Sequence, residues 1–138
     1  MIIDATDLLL GRMASFIAKK ALLGEKIDVI NCEKAMISGS KANVIEKYKK
    51  RQIRGNTFKG PFYPRKPNMF VRRAIRGMLP YKRQGGRKAY EGIKCYTGVP
   101  DTLKDKKAET IENAHIKKLP YLKYVEVSRI CKETGAKW

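Results

Sequence analysis

Acidic residues are missing from nearly a third of this chain. Between Glu46 and Glu91 lie 44 consecutive residues, 47–90, with no aspartate or glutamate, and 15 of them are lysine or arginine. Elsewhere 16 bases face 13 acids, so most of the net charge of +18 comes from one region. Histidine occurs once, at His115, with no evident serine or cysteine partner, which leaves little material for nucleophilic or acid–base catalysis. The three cysteines, Cys32, Cys95 and Cys131, are odd in number and widely spaced, which argues against a disulfide framework and favours a reducing compartment. Without a C-x-x-C pair they also lack the usual spacing of a structural zinc site, and the expectation is buried thiols. No apolar run approaches the roughly 18 residues of a membrane helix, and MIIDATD at the start has no basic leader region. The chain therefore reads as cytoplasmic, without membrane association.

Concentrated like charge repels itself and weakens a compact state, so an acid-free basic block points to a polyanion as its counter-charge. Short charge runs are more often solvated faces, but 44 residues without an interspersed acid favour nucleic acid. A membrane surface fits less well, because glycine and proline break the block where a basic amphipathic helix would be continuous.

The 138 residues suit one domain, taken as 1–138, with a basic segment at 47–88. MIID and IDVINC read as buried parallel strands, joined by a helix on which Leu10, Met13, Ala14, Ile17, Ala21 and Leu22 recur at helical spacing and which Gly24 ends. Residues 35–38 suggest another short strand, and Ser40 is placed to cap a helix running to about Lys50, with Val44, Ile45 and Tyr48 inward. Turn residues crowd 55–67, which reads as a basic surface loop, mobile in the absence of a partner. Pro67 suits the first position of the next helix. There Phe70, Val71, Ala74, Ile75 and Met78 span an arc of about 140°, while Arg72, Arg73 and Arg76 fall within an opposite arc of about 100°. Those three arginines are expected to face a partner together. Pro80 ends that helix, Gly85-Gly86 reads as a flexible turn, and a strand follows at 93–98. Residues 100–118 read as a polar surface excursion, after which come a strand near Val125 and a helix carrying Ile130, ended by Gly135. Alternating strands and helices indicate an α/β fold with a small, mostly parallel sheet.

GSK at 39–41 lacks the spacing of a phosphate loop and reads as a helix cap. Asp4, Asp7 and Glu33 could gather at the carboxyl ends of two strands and hold magnesium for a nuclease, although capping and turn duty explain them as well. The basic block has more parts in place: arginine binds phosphate and stacks on bases, glycine lets the main chain approach, and Phe62, Tyr63, Tyr81 and Tyr90 are interleaved. Signatures of base-specific RNA modules are absent from the sequence, so shape and phosphate contacts to a folded RNA are expected. The candidate RNA-binding residues are Lys49, Lys50, Arg51, Arg54, Lys59, Arg65, Lys66, Arg72, Arg73, Arg76, Lys82, Arg83, Arg87 and Lys88.

The stretch IRGMLPYKRQGGRKAYEGIKCYTG, 75–98, resembles the signature of the ribosomal protein L13 family of the large subunit, GMLP at 77–80 being its most specific part. The similarity includes LGRMAS at 10–15, INCEKAMISG at 30–39 and FKGPFYPRKPNMF at 58–70, and covers about the first hundred residues. GPFYPRKP and the brief chain resemble archaeal and eukaryotic members. The resemblance implies a three-layer α/β/α fold, here with a four-stranded, mostly parallel sheet and a basic loop-and-helix extension. It also implies a non-catalytic structural role: binding large-subunit rRNA from early assembly, beside other large-subunit proteins, with no cofactor, no small-molecule substrate and no homo-oligomer. The rival functions are the metal-dependent nuclease and an RNA-binding translational regulator acting off the ribosome.

Overall fold

The structure is a computed structural model that describes residues 1–137. In chain order its main elements are β1 (Ile2–Asp4), α1 (Leu10–Leu22), β2 (Ile27–Ile30), β3 (Met36–Ser38), α2 (Lys41–Ile53) and α3 (Pro67–Met78). They are followed by α4 (Gln84–Glu91), β4 (Ile93–Cys95), β5 (Tyr124–Glu126) and α5 (Val127–Glu133). The β-branched runs at the start form the sheet that the pattern predicts. β1 and β2 lie parallel in the register Ile3↔Val29, and β4 joins the other side of β2, so the strand order is β1-β2-β4. Ile3, Val29 and Ile93 are wholly buried in it and merge with Met13 and Ile17 of α1 and Val71 and Ile75 of α3 into one core. Each such side chain contributes about 1.5–3 kcal/mol on burial.

The α/β class is as expected, but the strands divide differently. A three-stranded parallel sheet is accompanied by a separate antiparallel pair, β3 with β5, in the register Ile37↔Val125. The division starts at Asn31, whose left-handed backbone (φ 53°) leads into a short 3₁₀ turn at Cys32–Lys34. The chain there turns out of the parallel sheet before β3 begins, and α5 follows β5 directly.

The edge of β1 is covered by a segment whose sequence signals only polarity. Glu109 bridges Ile3: its N–H donates to the Ile2 carbonyl at 2.8 Å, and its carbonyl accepts from the Asp4 N–H at 3.1 Å. Leu103 and Ala114 of the same segment are buried. Residues 100–118 thus act as a strap that protects a strand edge, rather than as a free excursion.

Helix ends follow the sequence only in part. Gly24 takes the left-handed conformation (φ 94°) just past α1, so the helix stops there and Leu22 remains half exposed instead of joining the core. Pro67 opens α3 as expected. Ser40 stands at the N-cap of α2, yet its hydroxyl makes no capping bond. Gly85 and Gly86 are not a flexible turn: both lie within α4. A β-carbon on Gly86 would overlap the Pro80 carbonyl oxygen, whereas one on Gly85 would meet nothing within 4 Å. The two glycines therefore have different reasons to be there. Gly86→Ala is expected to destabilise by about 1–3 kcal/mol through overpacking, and Gly85→Ala to be neutral or stabilising by up to about 1 kcal/mol. Urea unfolding of both variants checks this, and equal effects would contradict it.

Candidate nucleic-acid interface

Helix α3 buries Phe70, Val71 and Ile75 against the core and leaves its arginines on the far side, half-buried at Arg72 and Arg73 and exposed at Arg76. Their guanidinium groups do not stand in one free row as their spacing alone suggests. Each rests on a different tyrosine: Arg72 is over Tyr90 at 4.5 Å, Arg73 over Tyr63 at 4.4 Å and Arg76 over Tyr81 at 5.1 Å, measured to the ring centroids. Tyr81 and Tyr90 meet edge to face at 5.3 Å, which joins the first and third of these pairs. Arg73 also donates from Nη1 to the Phe62 carbonyl at 2.8 Å, tying α3 to the preceding loop. Arg72 Nε is buried without a hydrogen-bond partner among the described residues.

A second aromatic group lies between α2 and α3. Tyr48, Tyr63 and Phe70 pack with centroids 4.9–5.8 Å apart, and Arg51 is over Tyr48 at 5.2 Å. Burial, and next the neighbouring Tyr63, push the Tyr48 hydroxyl above its usual titration range. Residues 55–67 are largely exposed as expected, but Tyr63 in this group and buried Pro67 anchor their far half. Asn56 and Gly60 exchange backbone hydrogen bonds at 2.9 and 3.1 Å across the loop tip.

Most of the remaining candidates are exposed cations. Lys49 pairs with Glu133 at 3.5 Å and Lys50 with Glu46 at 2.6 Å, so part of their charge is already matched. Among the described residues, Arg51, Arg54, Lys59, Arg65, Lys66, Arg72, Arg73, Arg76, Lys82, Arg83, Arg87 and Lys88 form no ion pair. Arg83 precedes the first turn of α4, and Arg87 donates from Nε to the Tyr81 carbonyl at 3.3 Å.

The carboxylates considered for metal chemistry are occupied locally. Asp4 Oδ1 accepts from the Thr6 hydroxyl at 2.7 Å, the Thr6 N–H at 3.0 Å and Asn31 Nδ2 at 3.0 Å. Burial pushes this carboxyl upward, but the Thr6 and Asn31 hydrogen bonds and the Lys34 charge outweigh it and hold Asp4 below its ordinary value. Glu33 accepts from the Gly98 N–H at 3.0 Å, and Asp7 sits in a left-handed turn (φ 57°) rather than capping α1, whose N-cap is Leu9. Among the described residues no three acidic, histidine or cysteine side chains gather as a ligand set. Cys32 and Cys131 are buried: the hydrogen-bonded Cys95 thiol and burial both raise Cys32, and burial pushes Cys131 up to about 12.

This arrangement of core, arginine–tyrosine stacks and unpaired cations occupies the same stretches that carry the family resemblance. The model of the family described as Ribosomal protein L13 matches residues 1–102. The chain belongs to the ribosomal protein L13 family. It is 45% identical to the large ribosomal subunit protein uL13 of Methanosarcina barkeri, with 99% of each chain covered. Identity to the protein of that name from Archaeoglobus fulgidus is 45%, over 93% of this chain and 85% of that one. For Methanopyrus kandleri it is 41%, over 97% and 86%. These relatives are archaeal, in keeping with the GPFYPRKP segment, and the pairwise similarity continues past Pro100 where the recognisable motifs stop.

Within this L13 family member, the feature that sequence reasoning placed least well is the role of the tyrosines. From sequence Tyr63, Tyr81 and Tyr90 are possible stacking surfaces for RNA bases, and in the fold each already carries an arginine on its ring. The spacing holds a weak signal, since Tyr63, Tyr81 and Tyr90 all lie within the acid-free block where no carboxylate competes for the guanidinium groups. If the ring of Tyr63 is what matters, Tyr63→Ala loses about 1–3 kcal/mol of stability while Tyr63→Phe stays within about 0.5 kcal/mol of the parent. Chemical denaturation distinguishes them, and a large loss in the phenylalanine variant would shift the role to the hydroxyl.

Proposed function

We propose that this chain is a structural constituent of the large ribosomal subunit, cytoplasmic, binding and stabilising rRNA from early assembly and lying beside other large-subunit proteins. The observation that carries the reading is the set of twelve candidate cations, Arg51 to Lys88, that have no ion pair among the described residues although acids are available elsewhere in the chain. A surface of that kind is suited to a polyanion, and the large-subunit names of the relatives support rRNA as that polyanion. The whole chain acts as one domain in this reading, supported by the single contiguous core beneath both aromatic groups.

The binding mode follows from the chemistry of the surface. Guanidinium groups make bidentate contacts to phosphate, and the exposed lysines add point charges around them. Each phosphate neutralised releases condensed counterions, so affinity falls steeply with salt, by a log-log slope of about 0.7 to 0.9 per contact. The nuclease alternative draws no support from Asp4 and Glu33, which already hold Thr6, Asn31 and Gly98 in place.

Sedimentation of a native extract before and after a high-salt wash tests the assignment. About one copy per large subunit, retained through the wash, is the expected result; a mainly free protein would favour an off-ribosome regulator. The surface itself is tested with Lys82, Arg83 and Lys88, which are exposed, outside the core and not among the stacked arginines. Their joint replacement by alanine is expected to lower the salt slope of rRNA binding by about 2 to 3 without changing the melting temperature. An unchanged slope would remove these three residues from the interface.

A further inference from the structure

Between α2, the 55–67 loop and α3 lies a cleft of about 400 Å3, lined by Tyr48, Tyr63, Arg51, Arg54, Arg73 and Gly77. We infer that this cleft receives one unpaired nucleotide of the rRNA, with its base against the Arg73–Tyr63 stack and its phosphate beside Arg51 and Arg54; the inference rests on the rRNA-binding reading above. The volume lies at the lower end of the range for small-ligand sites, which suits a single nucleotide. An A-form duplex, by contrast, is read across an open surface through its backbone and shallow groove.

The lining chemistry selects the same ligand. Arg73 is held at two points, over the Tyr63 ring at 4.4 Å and by Nη1 on the Phe62 carbonyl at 2.8 Å, so it offers a planar platform already fixed in orientation. Arginine planes and aromatic rings are the surfaces on which splayed-out RNA bases stack. Arg51 is positioned over Tyr48, and Arg54, the C-cap residue of α2, has no ion pair among the described residues. A phosphate alone needs only the cations, and an apolar peptide would meet three guanidinium groups. A nucleotide uses both the rings and the charges.

Gly77 supplies an independent observation. It lies in the last turn of α3 with no positive φ, and a β-carbon there would meet nothing within 4 Å. Neither the backbone nor internal packing calls for glycine, although glycine is about 1 kcal/mol less favourable than alanine in a helix. Room in the cleft for a group from outside the chain accounts for it.

Isotope-labelled full chain, titrated with adenosine 5′-monophosphate and separately with inorganic phosphate, tests the inference by NMR. The nucleotide is expected to shift the amides of Tyr63, Arg73 and Gly77 with an affinity at least fivefold above that of phosphate. Gly77→Leu, which fills the cleft, and Arg54→Gln, which removes a charge, are each expected to weaken it about tenfold or more. Nucleotide binding no tighter than phosphate, or undiminished in both variants, overturns the cleft assignment. A parallel titration with deproteinised large-subunit rRNA separates the two readings. Salt-dependent rRNA binding without the nucleotide effect overturns the cleft alone, and absence of rRNA binding overturns the surface on which it rests.

Discussion

A guanidinium group laid on an aromatic ring is stabilised without being neutralised, and the basic block of this protein depends on that difference. A carboxylate partner would hold an arginine equally firmly but would cancel the charge a polyanion needs. The tyrosine ring attracts the cation through its quadrupole, by about 0.5–2 kcal/mol depending on exposure, and leaves the net charge in place. Arg51, Arg72, Arg73 and Arg76 are all arranged in this way. Where acids do approach, at Lys49 and Lys50, they sit at the border of the block, on Glu133 and Glu46.

The stacks in turn depend on the core. Tyr48 and Tyr63 are fixed by Phe70, which belongs to the buried face of α3, and Tyr90 precedes β4 by only a few residues. α4 is brought close enough for Tyr81 to meet Tyr90 because Gly86 accepts the Pro80 carbonyl against its backbone. The segment GMLPYKRQGG therefore reads as packing geometry as much as charge. Its glycine and proline shape the turn by which a second arginine–tyrosine pair reaches the first.

How much of this was legible in the sequence depended on the range of the interaction involved. Local rules located the start of α3 at Pro67, the end of α1 near Gly24 and the apolar stripe through Met13, Ile17, Val71 and Ile75. They did not reveal that β3 leaves the parallel sheet, because the turn at Asn31 is a backbone conformation and its partner β5 is almost ninety residues away. The strap at 100–118 was missed for a related reason: it pairs through the main chain of Glu109, to which side-chain polarity is no guide. Gly85 and Gly86 look identical in sequence and differ only through the carbonyl that one of them faces. For the candidate site, composition shows the concentration of charge within 47–90, while the partition of tyrosines between packing and arginine required tertiary contacts.

That partition also bears on how binding free energy is distributed across the surface. Ordering a long side chain at an interface costs about 0.5–1.5 kcal/mol, and a guanidinium already seated on a ring has met part of that cost during folding. The stacked arginines are thus suited to fix the geometry of a complex. Exposed cations such as Lys59, Lys82 and Lys88 are suited instead to attraction over a Debye length of about 8–10 Å, which accelerates encounter more than it specifies a pose. A surface divided in this way gains directional contacts without giving up long-range attraction. Replacing its tyrosine platforms with acids would trade the second property for the first, and the absence of any acid from Lys47 to Tyr90 is consistent with that constraint.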